Sequence, residues 1–256
     1  YTPPQPRKAE GDKLIPPATP LVACDPYFSI WSPADKLTDD DTVHWTGKPH
    51  RLAGLVRIDG KAFRVMGSQP AETPALTQTG LTVLPTRTVY AFEGAGVALT
   101  LTFLTPALPD DLDVLSWPVT YLTFEFRSAD GKPHDVQLYF DASAELAVNV
   151  PSQEVAWSQE QVGGLVALKV GSKDQPVLAK KGDDIRIDWG YLYVAAAGAD
   201  VAEQQIGEGE AMKGSFAVNG KLDPSLGAPP PATPAGPYAA AMVFPAVKAS
   251  AQPVTR

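Results

Sequence analysis

Alternation of apolar and polar positions with a period of two dominates this chain from about residue 75 onward. Val97, Leu99, Leu101 and Phe103 are separated by Ala98, Thr100 and Thr102, the spacing of a strand with one buried face. Similar runs recur at short intervals: "ALTQTGLTVLPTRTVYAFEGAGVALTLTFLTP" from residue 75, "EVAWSQE" from 154, "LVALKVGS" from 165 and "IRIDWGYLYVAAA" from 185. Two Asp-Gly pairs predict turns. Asp59-Gly60 should join Leu55–Ile58 to Ala62–Met66 as a hairpin with a type I′ turn. Asp130-Gly131 should stand at the turn of a second long antiparallel pair within "TYLTFEFRSADGKPHDVQLYFDA", since Asp-Gly readily supplies positive φ. One helix is predicted, over 208–218, closed by Asn219-Gly220 as its C-cap. "AAAMVFPAV", from 239, reads as one last strand.

Composition sharpens this picture. With 26 prolines and 21 glycines in 256 residues, long helices are disfavoured and short strands between turns are expected. The predicted class is mainly β, an antiparallel sandwich of the supersandwich kind with a small N-terminal hairpin unit and few helices. Three zones follow. Residues 1–20, with six prolines, read as an extended arm or linker. Residues 21–72 form a small unit holding an aromatic segment and the first hairpin, and 73–256 form the sandwich.

Charge and single residues exclude several functions. A net charge of -8 and a pI near 4.9, without a basic stripe, exclude a nucleic-acid backbone as partner. No apolar run approaches the length of a membrane span. Cys24 is the one cysteine, so there is no internal disulfide framework, and as a nucleophile it lacks a cationic neighbour. Neither G-x-S-x-G, G-x-G-x-x-G, the phosphate-loop pattern nor H-E-x-x-H occurs, and no cofactor is called for. Histidine occurs at His44, His50 and His134; the last, beside a predicted turn, is expected in solvent. Asp35, Asp39, Asp40 and Asp41 could offer oxygen ligands to a cation, but their spacing is not that of a calcium loop, and a solvated acidic turn is the plainer reading. Asp183 and Asp184 read as a turn before a strand.

"PLVACDPYFSIWSPADKLTDDDTVHWTGKPHRLAGLVRIDGKAFRVMG", from residue 20, resembles the N-terminal region of the glutaminase A family, and "IDWGYLYVAA" and "AAMVFPAV" resemble the β module that follows there. The resemblance implies a secreted or periplasmic protein whose catalytic part is a large helical toroid beyond this stretch, acting on L-glutamine. It implies that this chain is the noncatalytic front of such an enzyme, with the toroid and a small-molecule substrate as partners. A second reading stays open: a sugar-directed region of a glycoside hydrolase, because those enzymes also combine a sandwich with a toroid.

The segment 25–47 then has two readings. Tyr27, Phe28, Ile30 and Trp31 do not alternate cleanly, as in a plug that packs against protein on both sides. Alternatively Asp25, Tyr27, Trp31, Asp35, His44 and Trp45, with Tyr238 from the proline-rich stretch, line a pocket mouth or a boundary with the remainder of the enzyme.

Overall fold

The computed structural model describes residues 16–227, 229–230 and 232–256. Most of the predicted arm lies outside them, and its last residues already belong to a strand. In chain order the elements are β1 (Thr19–Asp25), β2 (Phe28–Ser32), β3 (Leu52–Ile58), β4 (Lys61–Met66), β5 (Thr77–Leu84), β6 (Arg87–Gly94), β7 (Val97–Leu104), α1 (Leu112–Ser116), β8 (Tyr121–Ser128) and β9 (His134–Ser143). There follow β10 (Glu154–Val162), β11 (Leu165–Ser172), β12 (Leu192–Ala197), β13 (Glu203–Glu208), α2 (Gly209–Asn219), β14 (Thr233–Pro234), β15 (Tyr238–Val243), β16 (Val247–Ala249) and β17 (Val254–Thr255). The protein is mainly β, with 47% strand against 11% helix.

The strands build a six-stranded sheet in the order β13-β15-β9-β3-β4, with β16 also paired to β9. A five-stranded sheet runs β17-β8-β7-β6-β5, a four-stranded one β12-β11-β10-β14, and β1 pairs with β2. Every named pairing is antiparallel. The alternation in β7 does what its pattern requires: Val97, Leu99, Leu101 and Phe103 are all buried. They share one core with Tyr90 and Phe92 of β6, Phe124 and Phe126 of β8, Val56 and Ile58 of β3, Val136 and Leu138 of β9, and Leu168 and Val170 of β11. The opposite face of the six-stranded sheet is covered by α2. There Leu55, Tyr139, Ala241 and Val243 pack on Met212 and Phe216, with the Tyr139 and Phe216 rings 5.3 Å apart.

The two Asp-Gly pairs part company. Asp59 and Gly60 both have positive φ, 48° and 83°, and β3 pairs with β4 from Ile58↔Lys61 outward, as expected of a type I′ turn. At the second pair Gly131 has φ 81° while Asp130 is not left-handed, so that turn cannot close a tight hairpin. β8 and β9 are accordingly not partners: β8 pairs with β7 and β17, and β9 with β3, β15 and β16. The connection carries the chain from one sheet to the other.

Three further expectations are corrected. The strand expected from Ile185 begins only at Leu192; Ile187 instead donates its amide to the Tyr27 carbonyl at 2.9 Å. "AAAMVFPAV" becomes two strands along β9, interrupted at Pro245, which has no amide for the ladder. A second helix, the five-residue α1, was not expected. Too short to show a 3.6-residue period, it is set by Asp111, whose side chain accepts from the Val114 amide, a polar N-cap. The predicted helix α2 ends as expected, on Gly220 in the left-handed region at φ 70°.

Candidate functional site

Four of the predicted residues, Asp25, Tyr27, His44 and Trp45, gather around the Pro26 carbonyl. Asp25 Oδ1 accepts from the amides of Tyr27 and Phe28 at 2.7 and 3.0 Å, which shapes the β1–β2 turn and turns the Pro26 carbonyl inward. That carbonyl accepts from His44 Nε2 at 3.0 Å and from Trp45 Nε1 at 2.7 Å. Because a carbonyl only accepts, His44 carries its proton on Nε2, and Nδ1 accepts from the Thr46 amide and faces the Thr46 hydroxyl at 3.0 Å. Burial lowers the His44 pKa, so the ring is neutral. Tyr27 leans on Trp189 with ring centroids 6.0 Å apart, and both Tyr27 and Trp45 keep large exposed faces.

The other predicted residues lie apart. Trp31 is half-buried and ladders with Val43 through its backbone. Asp35 sits near Gln78, its carbonyl accepting from Nε2 at 3.2 Å. Tyr238 stands in β15 against Trp157, 5.9 Å away, on another part of the molecule.

Sequence reasoning missed the groups that brace this cluster. Arg186, nearly buried, donates to the Asn149 carbonyl and to Asp184, and reaches the Thr46 hydroxyl at 3.3 Å. It holds the Asp184 carboxyl below its usual range. Between Arg186, Lys48, Pro49, Glu145, Asn149 and Pro151 lies a cleft of about 100 Å³, below the roughly 300–1,000 Å³ of small-molecule sites. His50 is buried against His44, ring centroids 4.9 Å apart. Its Nδ1 faces the Ser29 carbonyl at 2.9 Å, and burial, helped by the charge of Arg186, pushes its pKa down to about 3.

A second polar seam runs through the end of β9. Although burial alone would raise it, hydrogen bonds from Ser68 and the ion pair with Arg51 lower the Asp41 pKa. Arg51 also pairs with buried Glu145, whose pKa burial raises. Asp41 is thus a structural acceptor rather than part of a solvated turn. Farther along, Tyr139 donates to Asp141 Oδ2 at 2.6 Å. Both are fully buried under α2, and burial, opposed by the charge of Lys213, pushes Asp141 up to about 6.

His134 overturns its expected exposure. Nδ1 meets Asp59 at 2.6 Å and Nε2 meets Asp130 at 3.0 Å. Two carboxylates require two donors, so the ring is an imidazolium, and both carboxylates raise its pKa. It clamps the Asp59 turn to the β8–β9 crossing. None of these clusters places a nucleophile, a base and an oxyanion donor around open space. What they do chemically is fix backbone.

Antiparallel sheets braced by partly buried ion pairs define the class, a mainly β protein. The chain belongs to the family described as Domain of unknown function (DUF5127), whose model matches residues 86–254, and residues 5–78 match Domain of unknown function (DUF4964). It is 32% identical over 215 residues to Glutaminase A of Aspergillus oryzae, covering 81% of this chain and 31% of that protein. A protein described as "Probable glutaminase", from Arthroderma benhamiae, is 22% identical over 213 residues, 73% of this chain and 24% of its own length. The chain thus spans a third or less of the curated relatives it matches.

Proposed function

We propose that this chain is the noncatalytic β region of a glutaminase-A-like hydrolase, which supports and docks the part of the enzyme that turns L-glutamine into L-glutamate and ammonia. The observation that carries the reading is the 32% identity to a glutaminase across most of this chain but only 31% of that enzyme, joined to a site whose histidines and carboxylates are engaged in packing. Export to the periplasm or medium belongs to the same proposal, as does a division of the chain near residue 72. The two separate family matches support that division, although β3 and β4 share a sheet with β9.

The test is ammonia release from L-glutamine by the purified 256-residue chain and by the longer protein that carries it. The chain alone is expected to stay at background while the longer protein turns over. Turnover by the chain alone, abolished by a point substitution within it, sinks the noncatalytic reading. Sugar release from glucosides by the longer protein, with no ammonia, moves the function to carbohydrate.

A further inference from the structure

Between β7 and β8 the chain forms a ledge that hides almost nothing apolar. Leu108, Leu112, Leu115, Trp117, Val119 and Tyr121 are all exposed, Leu112 at 75% and Trp117 at 50%, and α1 has no buried residue. Yet the ledge is ordered by specific bonds. Asp111 caps α1, the Trp117 amide donates to the Val114 carbonyl at 3.2 Å, and the Thr105 and Thr120 hydroxyls meet at 2.7 Å across its base. The β5–β6 turn, which carries exposed Leu84, is tied to the base of the ledge by the Thr105 amide donating to the Thr86 carbonyl at 3.1 Å. A single helical turn has little stability of its own in water, and so many exposed apolar side chains in one short segment mark an interface.

We propose that this ledge is the docking surface for the part of the polypeptide that the glutaminase relatives carry outside the matched third; the inference rests on the functional reading above. Two observations select that occupant. First, β17 lies antiparallel along β8, with Val254 opposite Phe126 and Arg256 bonded both ways to Phe124. It covers only the far end of β8, and polypeptide continued in that register passes Leu122 and arrives at Tyr121, on the ledge. Second, Asp110, Asp111 and Asp113 are exposed within the same segment as these apolar side chains, so the occupant presents an apolar centre with lysine or arginine around it. A covalently joined region meets this surface at high effective concentration.

Hydrogen–deuterium exchange on the 256-residue chain and on the longer protein tests the proposal. Amides of 108–121 are expected to exchange at least about tenfold more slowly in the longer protein, while those around exposed Tyr191 and Tyr193 keep their rates. Equal rates at 108–121 in both proteins overturn the docking surface, as does a reading frame that stops at residue 256. Ammonia release measured on the same sample separates the two ideas. Protection without turnover upholds the ledge and removes the glutaminase reading. Turnover without protection removes the ledge alone.

Discussion

Asp141 shows how far a side chain's behaviour departs from its place in the sequence. Within "LYFDAS" it alternates as an ordinary strand residue, and only the fold puts α2 over it. The sign of its pH effect follows from a folded pKa of about 6 against 3.8 in the unfolded chain. The stability contributed by the neutral carboxyl is complete below about pH 4 and is lost as pH rises through about 6, on the order of 3 kcal/mol in all. Asp141→Asn removes that dependence. The gap between variant and wild-type Tm should therefore shift in the variant's favour by roughly 5–10 °C from pH 4.5 to 7.5. A gap that stays flat across that range refutes the assignment. His134 and Arg186 were equally hidden, because each is also engaged from a distant turn: 75 residues separate His134 from Asp59, and 37 separate Arg186 from the Asn149 carbonyl.

At the scale of elements, the apolar pattern predicted most strands, because burial of one face is the physical cause of the period, while α2 was marked by its Asn219-Gly220 C-cap. It failed where tertiary partners decide. One Asp-Gly pair made a hairpin and the other did not, and the difference lies in the φ of Asp130, which the crossing between sheets sets. "IRIDWG" alternates like a strand, yet its Ile187 amide is taken by the aromatic segment rather than by a ladder. Helix α2 shows packing at work: it has a weak apolar stripe, but Phe216 is fully buried against Tyr139. Phe216→Ala should cost about 3–5 kcal/mol, transfer and cavity together, read as a fall in the urea midpoint with an unchanged m-value. A loss below 1 kcal/mol would mean that α2 contributes little to the sheet it covers.

For the whole molecule, the mainly β class and the relation to glutaminase A were both legible, the first from periodicity and the second from the motif run at residues 20–67. The role of the aromatic segment was legible only in part: Asp25, Tyr27, His44 and Trp45 do gather, whereas Trp31, Asp35 and Tyr238 go elsewhere, because irregular backbone carries no period from which to read a direction. The strand order of the six-stranded sheet has a consequence for synthesis. β9 lies between β3, made before it, and β15, which starts about 95 residues after β9 ends. At roughly 5–20 residues per second, one edge of β9 stays unpaired on the ribosome for about 5–20 seconds. Open edges invite pairing with other chains. Nascent chains halted near residue 200 should accordingly bind a chaperone or aggregate, and those halted well past residue 250 should not; equal solubility at both lengths would show that another segment shields that edge in the interval.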